Sequence, residues 1–320
     1  MKKFIIYSFE YAENHGGPIV MHKLCDLLNR TGHEAYLYPL ISNFELQPYN
    51  VDQLPTIIEE YNKIFSLTRT VPIGTTVPLD KLEEVFWVNK EFKTPMYLPD
   101  RQISFDNEWV VIYPEVTFGN PLRAKNVVRW LLHNPGFHNG KIYYGPNELY
   151  FRYSESFNNF QFPGSKTSDL ILKILNLPLD VFFEPEIPKE RIGTAYSLRK
   201  GKGRKIVHNL DNSILIDGKS NQEIADIFRS VETFISYDPS TLYSNLAVLC
   251  GCNSVVIPLD GISENEWKPN YVGYGIAYGF ENMSKAKNTA HLMRPALLLA
   301  EAQSQELIKL FVAEVNEYFN

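Results

Sequence analysis

At 320 residues, with 44% hydrophobic and 21% charged residues, the chain is long for one hydrophobic core and too apolar for disorder, so two folded domains are expected. Its net charge of −6 argues against a nucleic-acid binder, which would carry a basic face. Three cysteines (Cys25, Cys250 and Cys252) form no disulfide framework and read as reduced thiols of a cytosolic protein. Cys250 and Cys252 flank Gly251 in an apolar run with no second ligand pair, so they are read as core residues rather than metal ligands. The start, Met1 to Tyr7, reads as a first strand rather than a signal peptide, and no run of about 18 apolar residues predicts a membrane span.

Phe4 to Phe9 is predicted as a buried strand, followed by a polar loop that ends at Gly16-Gly17. Ile19, Val20, Leu24, Leu27 and Leu28 then recur at helical spacing up to Gly32, and Glu34 to Leu40 gives a second strand. Strand, glycine loop, helix, strand is the opening of a doubly wound parallel sheet. The proline-rich stretch from Ser42 to Ser104 predicts loops and short strands near Lys63 to Ser66 and Val85 to Trp87. Glu108 to Tyr113 is a strand ending at Pro114-Glu115. Asn120-Pro121 is expected to open a helix through Val127, Val128, Leu131 and Leu132, stopped by His133 to Gly136. Leu149 to Tyr153 reads as another strand.

Phe160 to Arg191, with four prolines, is expected to join the domains, placed at 1–180 and 181–320. The βα rhythm then restarts. Thr194 to Leu198, Ser213 to Ile216, Thr233 to Ser236 and Ser254 to Ile257 are predicted strands. A helix from Ser220 to Phe228 carries a Ser220/Glu223 capping box, and Asp238 to Thr241 is expected to open a helix to Leu249. Ile308, Phe311, Val312, Val315 and Phe319 form one stripe of a long terminal helix, expected to pack back towards the N-terminal domain. The predicted fold is therefore α/β, two Rossmann-like domains facing a cleft, closed by that helix. Ligands of open α/β sheets sit beyond the carboxyl ends of strands.

Four strand-end features carry chemistry. Gly16-Gly17 lets backbone approach a ligand at a helix N-terminus, although a tight turn explains it equally well; His15 beside them is either a base or an exposed loop residue. Arg199, Lys200, Lys202 and Arg204, interleaved with Gly201 and Gly203, suit a loop that clamps a diphosphate, against the ordinary reading of a solvated charge run. Tyr237, Asp238, Ser240 and Thr241 lie between a strand and a helix, where hydroxyls and N–H groups can cap the helix and also hold phosphate or ribose oxygens. Glu115 at a strand end is a candidate general base for a sugar hydroxyl, against a plain surface glutamate. Asn120 and His133 are the candidate acceptor contacts; a histidine at a helix C-terminus is the alternative for His133.

Four passages together resemble bacterial glycosyltransferases of the GT-B fold, of the kind found in capsule and O-antigen polysaccharide synthesis. They are Asn14-His15-Gly16-Gly17; Val111 to Glu115 with Gly119 to Trp130; Arg199 to Lys205; and Ser236-Tyr237-Asp238 through Cys252. The resemblance implies a nucleotide-sugar donor held by the C-terminal domain and a glycan or lipid-linked acceptor held by the N-terminal one. It implies no tightly bound metal and no cofactor, with protein cations facing the leaving diphosphate. It further implies a cytoplasmic protein, with peripheral membrane association open. Many retaining members carry two glutamates eight residues apart near the last motif. Counted back from Gly251 those positions are Asp238 and Leu246, so the pair is incomplete and the stereochemistry stays open. The alternatives are a nucleotide-sugar epimerase or hydrolase on the same fold, and a non-catalytic sugar-nucleotide-binding protein.

Overall fold

The computed structural model describes residues 2–40, 86–97 and 105–320, apart from residues 14, 139, 156, 158, 159, 188, 189, 268, 270 and 271. Two compact units emerge: Met1–Asn176 with Gln303–Asn320, and Leu177–Ala302.

The first unit is a parallel sheet of β1 (Lys3–Ser8), β2 (Ala35–Pro39), β3 (Trp109–Pro114), β4 (Asn126–Leu131), β5 (Glu148–Arg152) and β6 (Lys166–Ile171), in the order β2-β1-β3-β4-β5-β6. Side chains alternate between its faces, as strand geometry requires. Phe4, Ile6, Val110, Ile112, Val128, Trp130, Leu149 and Phe151 point to one face. There they meet Met21, Leu24 and Leu28 of α1 (Gly16–Arg30). Ile308, Phe311, Val312 and Val315, from the distal half of the long helix Met293–Tyr318, complete that core. The opposite face has no described helix over it. Ile5, Tyr7, Val111, Tyr113 and Val127 are roofed by Leu40, Tyr97 and Phe105 from loops, and Tyr150 by Tyr144 and Phe160. Much of this roof is aromatic, with the rings of Tyr7 and Tyr113, Tyr97 and Trp109, Phe105 and Trp109, and Tyr144 and Phe160 meeting at 5–6 Å in tilted or edge-on pairs.

The segment expected as a helix after Asn120-Pro121 is strand β4. All six of its residues are buried, and it pairs with β3 and β5. A central parallel strand is covered on both faces, so the period-2 alternation disappears, and here even Asn126 and Arg129 are buried beside the apolar residues. The β-branched Val127 and Val128 and the aromatic Trp130 were the sequence signal that favoured a strand. With no helix there, the C-terminal capping role considered for His133 falls away. The predicted strand at Lys63 to Ser66 lies outside the described residues, as does Val85; Phe86 and Trp87 are irregular.

The second unit is a parallel sheet in the order β11-β10-β9-β7-β8, from β7 (Thr194–Ser197), β8 (Ser213–Leu215), β9 (Thr233–Ser236), β10 (Asn253–Val256) and β11 (Ile276–Tyr278). Helices α2 (Asn221–Ser230), α3 (Tyr243–Leu249) and α4 (Met283–Lys287) join these strands or follow them, and α5 (Met293–Tyr318) is the long terminal helix. The capping box at α2 forms as expected: Ser220 Oγ accepts from Glu223 N–H, and the Glu223 carboxylate accepts from Ser220 N–H at 2.8 Å. Helix α3 starts at Tyr243, later than Asp238, behind Leu242 and with no side-chain cap. Asp238 and Thr241 form local turns instead, which compete with helix at such residues. Cys250 and Cys252 are buried core thiols, and burial pushes them up to about 11 and about 12.

Candidate functional site

Among the described strands, each sheet has one place where the chain reverses its winding. In the second unit β8 is laid outside β7, after which β9, β10 and β11 are laid on β7's other side, so the reversal falls between β7 and β9. The loops leaving two such neighbours turn to opposite faces of the sheet and open a crevice beyond the carboxyl ends. The loop after β7 is Arg199 to Lys205; the loop after β9 is Tyr237 to Leu242. Topology thus brings together the two passages that the sequence offered separately as phosphate contacts.

The floor of this crevice is a backbone-on-backbone contact. A Cβ built on Gly201 would lie only 2.1 Å from the carbonyl oxygen of Tyr237. Nothing but glycine fits there without moving one loop. Asp217, at the end of edge strand β8, holds the first loop. Its Oδ1 accepts from Ser197 Oγ (2.6 Å) and its Oδ2 from the N–H groups of Leu198 (3.1 Å) and Arg199 (2.9 Å). Arg199 sits at φ 38°, a left-handed conformation that a side chain adopts at a cost, and this carboxylate grip holds it. Its guanidinium lies 5.0 Å from the Tyr243 ring centre. Asp217 was not among the residues that the sequence offered, because its partners lie on the neighbouring strand's exit and no local motif marks it.

Arg204 of the basic run has a different task from Lys200 and Lys202. Arg204 Nη1 donates to the carbonyls of Tyr237 (2.7 Å) and Ile257 (3.2 Å), and Nη2 donates to Ile257 and Pro258. It therefore clips the loops after β9 and β10 together; five fixed donors suit arginine to this. Lys200 and Lys202 are exposed and have no hydrogen-bond or ion-pair partner among the described residues. They are two cations at this crevice available to an anion.

Tyr237 is fully buried, and its hydroxyl accepts from Val207 N–H (2.8 Å) and lies 2.8 Å from His208 Nδ1. It shapes the loop from inside and does not offer its ring to a ligand. Asp238 is also buried, with Oδ1 accepting from Ser240 N–H at 3.0 Å, while Thr241 Oγ1 accepts from Tyr243 N–H at 3.3 Å. The Ser240 hydroxyl is half-buried and has no partner among the described residues. Trp267 Nε1 donates to the Pro239 carbonyl (3.0 Å) and its ring stacks on Tyr278 at 4.9 Å, so the loop after β10 pins the loop after β9.

In the first unit the reversal falls between β1 and β3. Gly16 and Gly17 start α1 there, with open space above Gly16, and His15 is the exposed residue before the helix, making no side-chain cap. A Cβ on Gly17 would lie 3.8 Å from the Leu132 side chain, and Leu132 N–H donates to Glu115 Oε2 at 3.1 Å. Gly17, Leu132 and Glu115 therefore adjoin one another at the carboxyl ends of the strands. Glu115 is only 6% exposed, with one carboxylate oxygen committed to backbone, which makes it first an anchor of the β4 exit. His133 follows β4, its ring stacked on Phe137 at 3.9 Å and 5.3 Å from the His138 ring. Its Nδ1 accepts from Asn134 N–H (2.8 Å), which puts the proton of the neutral ring on Nε2. Asn120 is drawn into the fold: Oδ1 accepts from Tyr113 Oη (2.9 Å) and Ala124 N–H (2.9 Å), and Nδ2 donates to the Ala124 carbonyl (2.7 Å). Its amide is spent on shaping the β3–β4 connection.

No family model matches the sequence, and no curated protein matches it. Among solved structures the chain resembles the crystal structure of TarM, with a TM-score of 0.43 and 10% identity over 100% of this chain and 99% of that chain. The functional reading rests on the crevices themselves.

Proposed function

We propose that the chain is a glycosyltransferase whose nucleotide-sugar donor places its diphosphate at the β7/β9 crevice. The observation that carries this reading is the pairing of two uncommitted lysines, Lys200 and Lys202, with a glycine-floored crevice at the reversal point of a doubly wound sheet. Two cations and the Ser240 hydroxyl meet a diphosphate by charge-assisted hydrogen bonds. The same groups stabilise the charge that develops when the sugar leaves. Asp217, Arg204 and Trp267 position the two loops and touch no phosphate.

The first unit supplies the acceptor side in this reading, through the α1 N-terminus, His15 and the His133 region. His15 is the better-exposed base and Glu115 the better-anchored one; the leaving phosphate takes that part if the reaction retains configuration. The reaction runs without a metal, and the acceptor is a glycan or lipid-linked sugar of surface polysaccharide synthesis.

A thermal-shift panel of UDP, GDP, TDP, CDP and CMP tests the donor half. A ligand that binds only the folded protein raises its melting temperature by mass action. One nucleoside diphosphate is expected to raise it well above the others and above CMP. An unchanged melting temperature with all five would remove the donor site.

A further inference from the structure

The second unit carries a surface that the donor reading does not use. From Asn282 to Ala300 the chain has Lys285, Lys287 and Arg294 and not one Asp or Glu, although the whole protein carries a net charge of −6. Among these cations Lys285 is paired with Glu264 at 2.6 Å, while Lys287 and Arg294 are exposed with no partner among the described residues. Met293 and Leu297 point inward, both at 0% exposure. At 3.6 residues per turn the outward face then carries Arg294 with Leu298 and Pro295 with Leu299, and Leu299 is 62% exposed. Arg294 and His291 also border a cavity of about 640 Å³ together with Phe183 and Glu186, and next to Glu186 stands Ile187, 83% exposed. A stripe of exposed leucines with cations along one flank, in an acid-free stretch of an acidic protein, has the charge and apolarity of an interfacial helix.

We propose that this face, Lys287 to Leu299, docks on an anionic lipid bilayer, with Leu298 and Leu299 entering the headgroup boundary and Lys287 and Arg294 meeting lipid phosphates. Charge complementarity selects the occupant: basic residues beside a membrane are attracted by anionic lipid. No described helix is long and apolar enough to cross a membrane, so the contact lies in the plane of the surface. Glu184 and Glu186 line the cavity, which places the lipid contact on the helix stripe rather than inside it. The same cavity is bordered by Val248 and Leu249 at the far end of α3, away from the crevice at that helix's start. Docking therefore leaves the β7/β9 crevice of this unit uncovered. The inference does not depend on the donor assignment, because vesicle binding is read without nucleotide.

The test is flotation of the full chain with vesicles of phosphatidylcholine alone and of phosphatidylcholine with 30% phosphatidylglycerol. The wild type is expected to float with the anionic vesicles only, and less as salt is raised. Lys287→Ala and Arg294→Ala are each expected to lower partitioning about fivefold. Leu298→Ser with Leu299→Ser should lower it at least tenfold, with the melting temperature unchanged because these side chains are exposed. Equal flotation with neutral vesicles, or none with either, overturns the proposal. So does a wild-type oligomer in sedimentation that the double serine variant dissolves while vesicles capture neither, since the stripe is then a contact between copies.

Discussion

Gly201 is the residue on which the crevice most directly depends. Its neighbour is the Tyr237 carbonyl, a rigid backbone atom and not the end of a flexible side chain. Gly201→Ala must therefore push the two loops apart or strain both, at the ~1–3 kcal/mol typical of overpacking. Urea denaturation is expected to show that loss, with nucleotide binding weakened alongside it. His22 sets a pH response. It is fully buried on α1, with Nε2 2.9 Å from the Phe9 carbonyl and its ring stacked on Phe86. Its Nδ1 is buried without a partner among the described residues, and burial lowers the ring to about 4 from 6.5. The unfolded chain therefore takes up a proton between those two values that the folded chain refuses. Stability is full above about pH 6.5 and is lost as pH falls towards 4, by about 3 kcal/mol for this group. His22→Gln should flatten that part of the stability-against-pH curve; an identical curve in the variant would show that the ring is not its source.

At the scale of elements, an internal ion pair ties together two central strands, β4 and β5. Arg129 of β4 and Glu148 of β5 are at most 2% exposed and bridge at 2.7 Å. Arg129 also donates to the carbonyls of Thr117 and Gly119, at 2.7 and 2.8 Å, and its guanidinium stacks 4.1 Å from the Tyr144 ring centre. Glu148→Leu strands that charge in the core and is expected to cost about 3–5 kcal/mol in unfolding free energy. A loss under 1 kcal/mol would mean that the pair is dispensable. This arrangement was invisible in the sequence because the two residues lie on different strands, and the register that joins them depends on β4 being a strand at all. Where one face met solvent or a helix carried a cap, as at α1, α2 and the distal part of α5, the sequence pattern gave the element directly. It misled where a central parallel strand lost its alternation. The site was legible in the same uneven way. Glycines and lysines marked the loop after β7, and a strand-to-helix junction with Asp238, Ser240 and Thr241 marked the loop after β9. The inward roles of Arg204, Tyr237, Asp238 and Asn120, and the grip of Asp217, follow from three-dimensional partners that no local spacing encodes.

On the scale of the whole molecule, two parallel sheets each offer a reversal point, and the one in the second unit carries Lys200 and Lys202, both exposed and without a partner among the described residues. The central claim is that this point binds a nucleoside diphosphate through Lys200 and Lys202. Both side chains are exposed, so their removal leaves the core and the loop-positioning contacts of Asp217 and Arg204 in place. The decisive measurement is calorimetric titration of the best nucleoside diphosphate into the wild type and into Lys200→Ala/Lys202→Ala, with melting temperatures in parallel. Loss of charge-assisted contacts predicts at least tenfold weaker binding by the variant, with its melting temperature unchanged in the absence of ligand. Equal affinity in the two proteins would contradict the account, because the diphosphate would then be held somewhere other than this crevice.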